Sequence, residues 1–337
     1  MRIVKYVLMT LAMLLVASCI YEYSYYVPAG IKLRLAFKLD TSTLDEYPQI
    51  SDLSREEYDI RYVIRAYRMT GSGKYHTAPH AEFIYTKDDI NSLDSTMMVE
   101  LDEGRYIFHT VADYVPQYEV GDNHFNTRTF SDLHIRCDQY HGSTDSKTLF
   151  AGYKESDVQR FNGTETTCDT VLLRPVLAKY QIVATDLQDF YEMMVTRSGE
   201  APDLVAMHLE NYKVKVRYSD KDPLYTHMNI LEGNNPTRGE TGLSFESKIT
   251  KLNDTEAMLC FDHVMVGDAQ KVTKIRVGIY KNDGTHITTI PLELPLQKGR
   301  FTCFKGRFLT HVGLENEGED GVIVNPDFDA DFDVDVD

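Results

Sequence analysis

Ile31-Lys-Leu-Arg-Leu-Ala-Phe-Lys-Leu39 sets Ile31, Leu33, Leu35, Phe37 and Leu39 on one side of an extended chain and Lys32, Arg34 and Lys38 on the other. Side chains alternate faces along a strand, so a period of two over this stretch marks a strand with one face in a core and one in water. The same grammar recurs downstream. Strand-like runs lie at 59–67, 81–85, 97–101, 105–113 and 170–173, divided by turn-rich pieces such as Thr70-Gly-Ser-Gly73 and Asp102-Glu-Gly104. A second series follows Arg174-Pro175, at 178–183, 212–218, 243–249, 257–266 and 274–280. Lys281-Asn-Asp-Gly284 then predicts a hairpin into 286–292, because Asn, Asp and Gly tolerate positive φ. Strands at 300–309 and 328–336 close the series. Short strands at this spacing predict an all-β fold of two sandwiches, an N-terminal one over 31–172 and a C-terminal one over 173–337. One helix is expected over 185–195, with Leu187, Phe190, Tyr191 and Met194 on a shared face and Thr185 or Asp186 as its cap. Residues 115–170 are mostly polar and carry Gly121, Gly142, Gly152 and Gly163, so a loop-rich region with room for short strands is expected there.

The chain has 337 residues, and its 35 Lys plus Arg against 52 Asp plus Glu give a formal charge of −17. A surface this acidic repels phosphate backbones, which argues against a nucleic-acid partner. A composition of 42% hydrophobic and 26% charged residues suits a globular protein with a core, and the 22 Tyr and 15 Phe with no Trp lean toward β-structure. Enzyme signatures are missing: there is no Gly-x-Ser-x-Gly elbow, no His-Glu-x-x-His, no phosphate loop and no dinucleotide glycine fingerprint. No enzymatic activity and no cofactor are expected.

Residues 1–18 combine Arg2 and Lys5 with an apolar run from 6 to 17 that is short for a membrane span, the pattern of an export signal. Val16-Ala17-Ser18-Cys19 resembles the lipobox of bacterial lipoproteins, which implies removal of residues 1–18 and acylation of Cys19. The bland alternative, an ordinary signal peptide with a chance cysteine, fits less well because small residues stand at both preceding positions. Residues 19–30, with Tyr21, Tyr23, Tyr25 and Tyr26, then form a tether beside the membrane. In so acidic a chain, acyl groups rather than a basic patch must provide membrane attachment.

Asp102-Glu-Gly-Arg-Tyr106 with Ala112-Asp-Tyr114, and Arg174-Pro-Val-Leu-Ala-Lys-Tyr180 with Ala184-Thr-Asp-Leu187, resemble strands of the fimbrillin-type lipoproteins of Bacteroidetes. Val214-Lys-Val-Arg-Tyr218, Phe261-Asp262, Asp283-Gly284, Pro295-Leu296, Gly306-Arg-Phe-Leu309 and Gly321-Val-Ile-Val-Asn-Pro-Asp-Phe328 follow in the order of that family's second domain. The resemblance implies two transthyretin-like β-sandwich domains in an anchor, accessory or tip subunit of a cell-surface fimbria or pilus with a role in cell adhesion. It implies an outer-membrane, surface-facing location and fimbrial subunits as partners through strand addition. Only Glu22 supplies an acidic residue just after Cys19, whereas many surface-exported lipoproteins of this phylum carry several. The rival reading is a glycan-binding lipoprotein of a polysaccharide-capture system, against which the absence of Trp counts.

Four further thiols, Cys137, Cys168, Cys260 and Cys303, permit Cys137–Cys168 and Cys260–Cys303 disulfides, or equally four free cysteines. His134, Cys137 and His141, with Asp132 and Asp138, are ligand types that zinc accepts. They lack two well-spaced pairs, so a polar loop and no metal are expected. The tail from Asp327 to Asp337 alternates carboxylates with apolar residues. As a terminal strand it places Phe328, Phe332, Val334 and Val336 on an inward face, which makes these the candidate strand-docking residues.

Overall fold

The computed structural model describes residues 31–40, 53, 57–159, 167–199, 209–267 and 271–311. Residues 1–18, Cys19, the tether 19–30 and the tail residues Phe328, Phe332, Val334 and Val336 lie outside the described residues. In chain order the first half forms β1 (Ile31–Leu39), β2 (Tyr58–Arg68), β3 (Ala81–Lys87), β4 (Ser95–Leu101), β5 (Gly104–Pro116), β6 (Phe125–Asn126), β7 (Leu133–Ile135), β8 (Leu149–Val158) and β9 (Thr167–Pro175). Seven of these make one sheet in the order β3-β2-β5-β8-β9-β1-β4. Its two halves enclose a common core. Leu33, Leu35 and Phe37 of β1 pack with Tyr62 and Ile64 of β2, Phe108 of β5 and Val171 of β9. These side chains are fully buried, and each contributes on the order of 1.5–3 kcal/mol through loss of apolar surface from water.

The corner of the sheet is narrow. β8 meets β9 through only the pairs Phe150–Pro175 and Ala151–Arg174. Gly152 follows them because a Cβ there would lie 2.1 Å from the Leu172 carbonyl oxygen, so nothing larger than glycine lets the two backbones approach. The turn between β4 and β5 is closed by Tyr106, whose hydroxyl donates to the Asp102 carbonyl at 3.1 Å. Gly104 supplies the φ of +152° that the turn needs.

The second sandwich begins with β10 (Ala178–Ala184) and continues through helix α1 (Leu187–Ser198), β11 (Tyr212–Tyr218), β12 (Leu224–Asn229), β13 (Asn235–Glu240), β14 (Ser244–Lys248), β15 (Thr250–Lys251), β16 (Ala257–Val264), β17 (Lys271–Lys281), β18 (His286–Leu296) and β19 (Phe301–Gly306). Sheets β15-β16-β10-β19 and β14-β11-β17-β18 enclose its core, which includes Tyr180, Ile182, Val214, Val216, Leu259, Val277 and Phe304. In both sandwiches an early strand pairs in parallel with the closing strand, β1 with β9 and β10 with β19. The expected β17–β18 hairpin is present. Its turn has Gly284 at φ +92° and the Asp283 carboxylate accepting the Thr285 N–H at 2.8 Å.

Of the expected face, helix α1 buries Leu187, Phe190 and Met194, while Tyr191 is only partly buried against the same core. Its cap differs from the expectation. Asp186 is the N-cap residue but makes no capping hydrogen bond within the helix. Its carboxylate instead accepts the backbone N–H groups of Phe308, Leu309 and Thr310 at 3.2, 3.2 and 2.8 Å, and the Thr310 hydroxyl at 2.7 Å. Two segments far apart in sequence, each within a stretch used for the family resemblance, therefore meet as one lock.

The polar stretch after β5 forms a layer of its own. β6 and β7 join β12 and β13 of the second series in a four-stranded sheet of order β13-β12-β7-β6. This sheet covers the outer face of the first sandwich, and a third core forms between them. Val63, Val111 and Leu149 meet Phe125, Phe130, Leu133, Met228, Ile230 and Met265 there. The cover explains why β2 is buried along nearly its whole length on both faces. Residues 173–175 still belong to β9, and Val176 and Leu177 lie in the third core. The expected division between 172 and 173 thus falls inside a strand, and the passage from one sandwich to the other is itself packed.

Candidate functional site

Where the layer 117–148 meets the second sandwich, charges are buried in a number unusual for a β-core. Asp262 occupies β16 opposite Tyr180 of β10, on the face that also carries Cys260 and Val264. By the alternation of a strand this is a core position, and a carboxylate there must be fully paired to be tolerated. It is. Asp262 Oδ1 accepts the Lys147 ammonium at 2.8 Å and the His263 backbone N–H at 2.7 Å. Oδ2 accepts the hydroxyls of Tyr140 and Tyr218, each at 2.6 Å, so four donors occupy the lone pairs of one carboxylate. Tyr218 in turn lies 2.8 Å from the Tyr180 hydroxyl, and since its proton is given to Asp262, Tyr180 is the donor. The Lys147 ammonium also stands 3.7 Å from the centre of the Tyr140 ring. Burial, with the Asp262 charge next in importance, holds the phenols of Tyr140, Tyr180 and Tyr218 well above their ordinary value, so they stay protonated donors.

A second ion pair flanks the first. Asp145, two residues before Lys147, accepts Lys179 at 2.7 Å, and both partners are nearly excluded from water. Lys179 faces His263 across the β10–β16 ladder, so by alternation it stands on the opposite side of β16 from Asp262. Burial, reinforced by Lys179 and Lys147, keeps His263 neutral far below the usual histidine range. On the first sandwich, Arg61 of β2 makes a bidentate pair with Asp113 of β5, Nε to Oδ1 at 2.9 Å and Nη2 to Oδ2 at 2.7 Å. Its Nη1 donates to the Val120 carbonyl and to Asp122, each at 3.0 Å, which ties the covering layer to the sheet below.

The sites expected from sequence are distributed differently. All four cysteines of the described residues are free thiols. The Cys260–Cys303 pairing is excluded by topology: β10 lies between β16 and β19, with Cys260 beside Ile182 and Cys303 beside Gln181. Two strand spacings are about 9.5 Å, beyond the roughly 7 Å that a disulfide spans. Cys137 packs against the second core, whereas Cys168 is exposed on β9 of the first sandwich. Among the described residues His134, Cys137 and His141, the ligand types weighed against a polar loop, are not gathered into one cluster. His141 stacks edge-on with His124 at 6.2 Å, and Asp138 pairs with Arg136 at 3.6 Å. Instead β7 and β12 pair His134 with His227, and the donor atoms of Asp132, His134 and His227 lie within 4.8 Å of one another.

Sequence reasoning missed Lys147, Tyr140, Asp145 and His227. One signal was available: Asp262 and His263 interrupt an apolar run, and a charge at a core period demands a partner from elsewhere. Which partner was not encoded locally, because Lys147 is separated from Asp262 by 115 positions.

Comparison with solved structures finds several similar chains. The fimbrial anchor protein Mfa2 from Porphyromonas gingivalis is 11% identical, with a TM-score of 0.43 over 82% of this chain and 90% of that one. A fimbrial assembly protein from Parabacteroides distasonis is 12% identical, with a TM-score of 0.39 over 82% and 90%. A Bacteroides thetaiotaomicron protein provisionally named as polysaccharide-binding is 12% identical, with a TM-score of 0.44 over 81% and 90%. No curated protein matches the sequence. A family model does match, over residues 28–337, and the chain therefore belongs to the Family of unknown function (DUF6562).

Proposed function

We propose that this chain is a lipid-anchored structural subunit of a cell-surface fimbria, attached to the outer membrane through Cys19 and joined to fimbrial subunits by β-strand addition. What carries this reading is the junction. A fibre component must pass force from one domain to the next without hinging. Here the two sandwiches share a sheet, an apolar core and the buried Lys147–Asp262 pair, whose side chains are each only 1% exposed. Such a contact cannot open without stripping a charge of its partner inside the protein, so the domains are held at one angle. The lipobox supplies the anchor. Strand addition requires an open edge, and among the described residues β19 stands last in its sheet order, with the tail following it in sequence.

Cys19→Ala tests the anchor. Without the acyl chains nothing in a chain of charge −17 attracts it to an anionic membrane, so the variant should shift from the membrane pellet to the soluble fraction. The wild type should begin with a lipid-modified Cys19 by mass spectrometry. Retention of the variant on membranes, or a soluble wild type starting elsewhere, contradicts the reading. Capture of a polysaccharide in place of fimbrial subunits would favour the glycan-binding alternative.

A further inference from the structure

We infer that Asp132, His134 and His227 form a site for one divalent metal ion of the zinc class, pinning the covering layer to a strand of the second series. Two imidazoles and a carboxylate are a donor set that suits zinc, nickel or cobalt and that calcium and magnesium, which prefer oxygen, leave alone. The placement comes from the ladder. His134 and His227 are directly paired residues of β7 and β12, and their rings stack at 4.7 Å with 20° between planes. Asp132 precedes β7 by one residue, and its side chain is exposed where His134 is half-buried and His227 buried. The site is thus open on one side and braced on the other.

The tautomers are set for coordination. His134 Nδ1 lies 3.1 Å from the Asp132 backbone carbonyl, which accepts only a proton, so Nδ1 is the protonated nitrogen and Nε2 keeps its lone pair. For His227, Nε2 lies 2.5 Å from Arg238 Nη2, which can only donate, and Nδ1 lies 3.0 Å from the Thr226 hydroxyl. Both rings therefore offer an unprotonated Nε2. Ligands about 2.1 Å from a tetrahedral zinc are about 3.4 Å apart, so donor atoms within 4.8 Å need only side-chain rotation to close on an ion. Arg238 supplies a second pointer. Its guanidinium sits on the His227 lone pair, yet its side chain is 64% exposed and its other partner, Glu240, is 3.5 Å away. A cation is already favoured at this spot, and a mobile side chain that provides one can be displaced. Glu240 or water would then complete four-coordination.

The test is titration of the metal-free full-length protein, kept in detergent, with Co²⁺ and then Zn²⁺. One equivalent of Co²⁺ should give the visible absorption of a four-coordinate nitrogen and oxygen site, and Zn²⁺ should abolish it while Ca²⁺ leaves it unchanged. His134→Gln and Asp132→Asn change side chains that are not core-buried, so both should fold with a native circular dichroism spectrum and bind at least 10-fold more weakly. Arg238→Ala should bind more tightly, because the competing guanidinium is gone. Absence of a stoichiometric cobalt signal in the wild type overturns the inference. So does unchanged affinity in both folded variants, which would place the ion elsewhere, for example on the carboxylates of 327–337.

Discussion

Replacing Asp262 by alanine should destabilise the chain by about 3–5 kcal/mol, more than any substitution of an exposed charge. The change removes the acceptor of Lys147, whose side chain is 1% exposed, and leaves an ammonium buried without a counter-charge. It also strands the hydroxyls of Tyr140 and Tyr218, which both point at the lost carboxylate. The double replacement Lys147→Met with Asp262→Leu removes both charges together and should cost distinctly less than the single change, since a paired charge is itself expensive to bury. Urea denaturation of the wild type and the two variants measures this through the position of the transitions. The wild type should unfold in one transition because the sandwiches are coupled, and Asp262→Ala should separate the transitions of its two halves. Equal stability of Asp262→Ala and wild type would show that the pair does not hold the junction.

Acid should weaken the fold well before the carboxylates titrate. Burial lowers His109 to about 4, and burial with the nearby charge of Lys147 lowers His124 to about 3. His263 is held lower than its ordinary value by burial and by Lys179. All three are neutral in the folded chain, whereas the unfolded chain takes up their protons below about pH 6.5. The unfolded state thus binds more protons over this range, so stability is full above pH 6.5 and falls as pH drops toward the folded values. Each histidine contributes a slope of about 1.4 kcal/mol per pH unit, and three together should lower the urea midpoint steeply between pH 6 and pH 4.5. His109→Phe, on the outer face of the first sandwich, should reduce the slope by about a third. A midpoint that is flat from pH 7 to pH 5 would contradict this account.

Much of the fold is legible in sequence because period-two patterning is a local signal. β1 spans the nine alternating residues Ile31–Leu39, and β11, with Tyr212, Val214, Val216 and Tyr218 facing inward, is equally plain. The helix is legible for the same reason, from the spacing of Leu187, Phe190 and Met194. The covering layer is not. β6 and β7 are two and three residues long, too short for a period to register, and their burial comes from contact with Met228 and Ile230 more than 90 positions away. β8 escaped notice because Gly152 and the charges of Lys154 and Glu155 break its pattern, although its pairing with β5 is continuous from Leu149 to Val158. The motifs behind the family resemblance are mostly structural locks. Tyr106 closes a turn, Asp186 clamps the segment after β19, and Asp262 gathers the junction. Their chemistry was visible in sequence only as polar residues among apolar ones, since each acts on a partner brought by topology.

The central claim, a membrane-anchored fimbrial subunit, is tested most directly by isolating the tagged full-length chain from detergent-solubilised outer membranes and identifying what comes with it by mass spectrometry. The account predicts an acylated Cys19 at the N-terminus and fimbrial subunits in defined stoichiometry, lost when residues 327–337 are deleted. Recovery of a non-acylated protein without such subunits, or with the same subunits after that deletion, would contradict it.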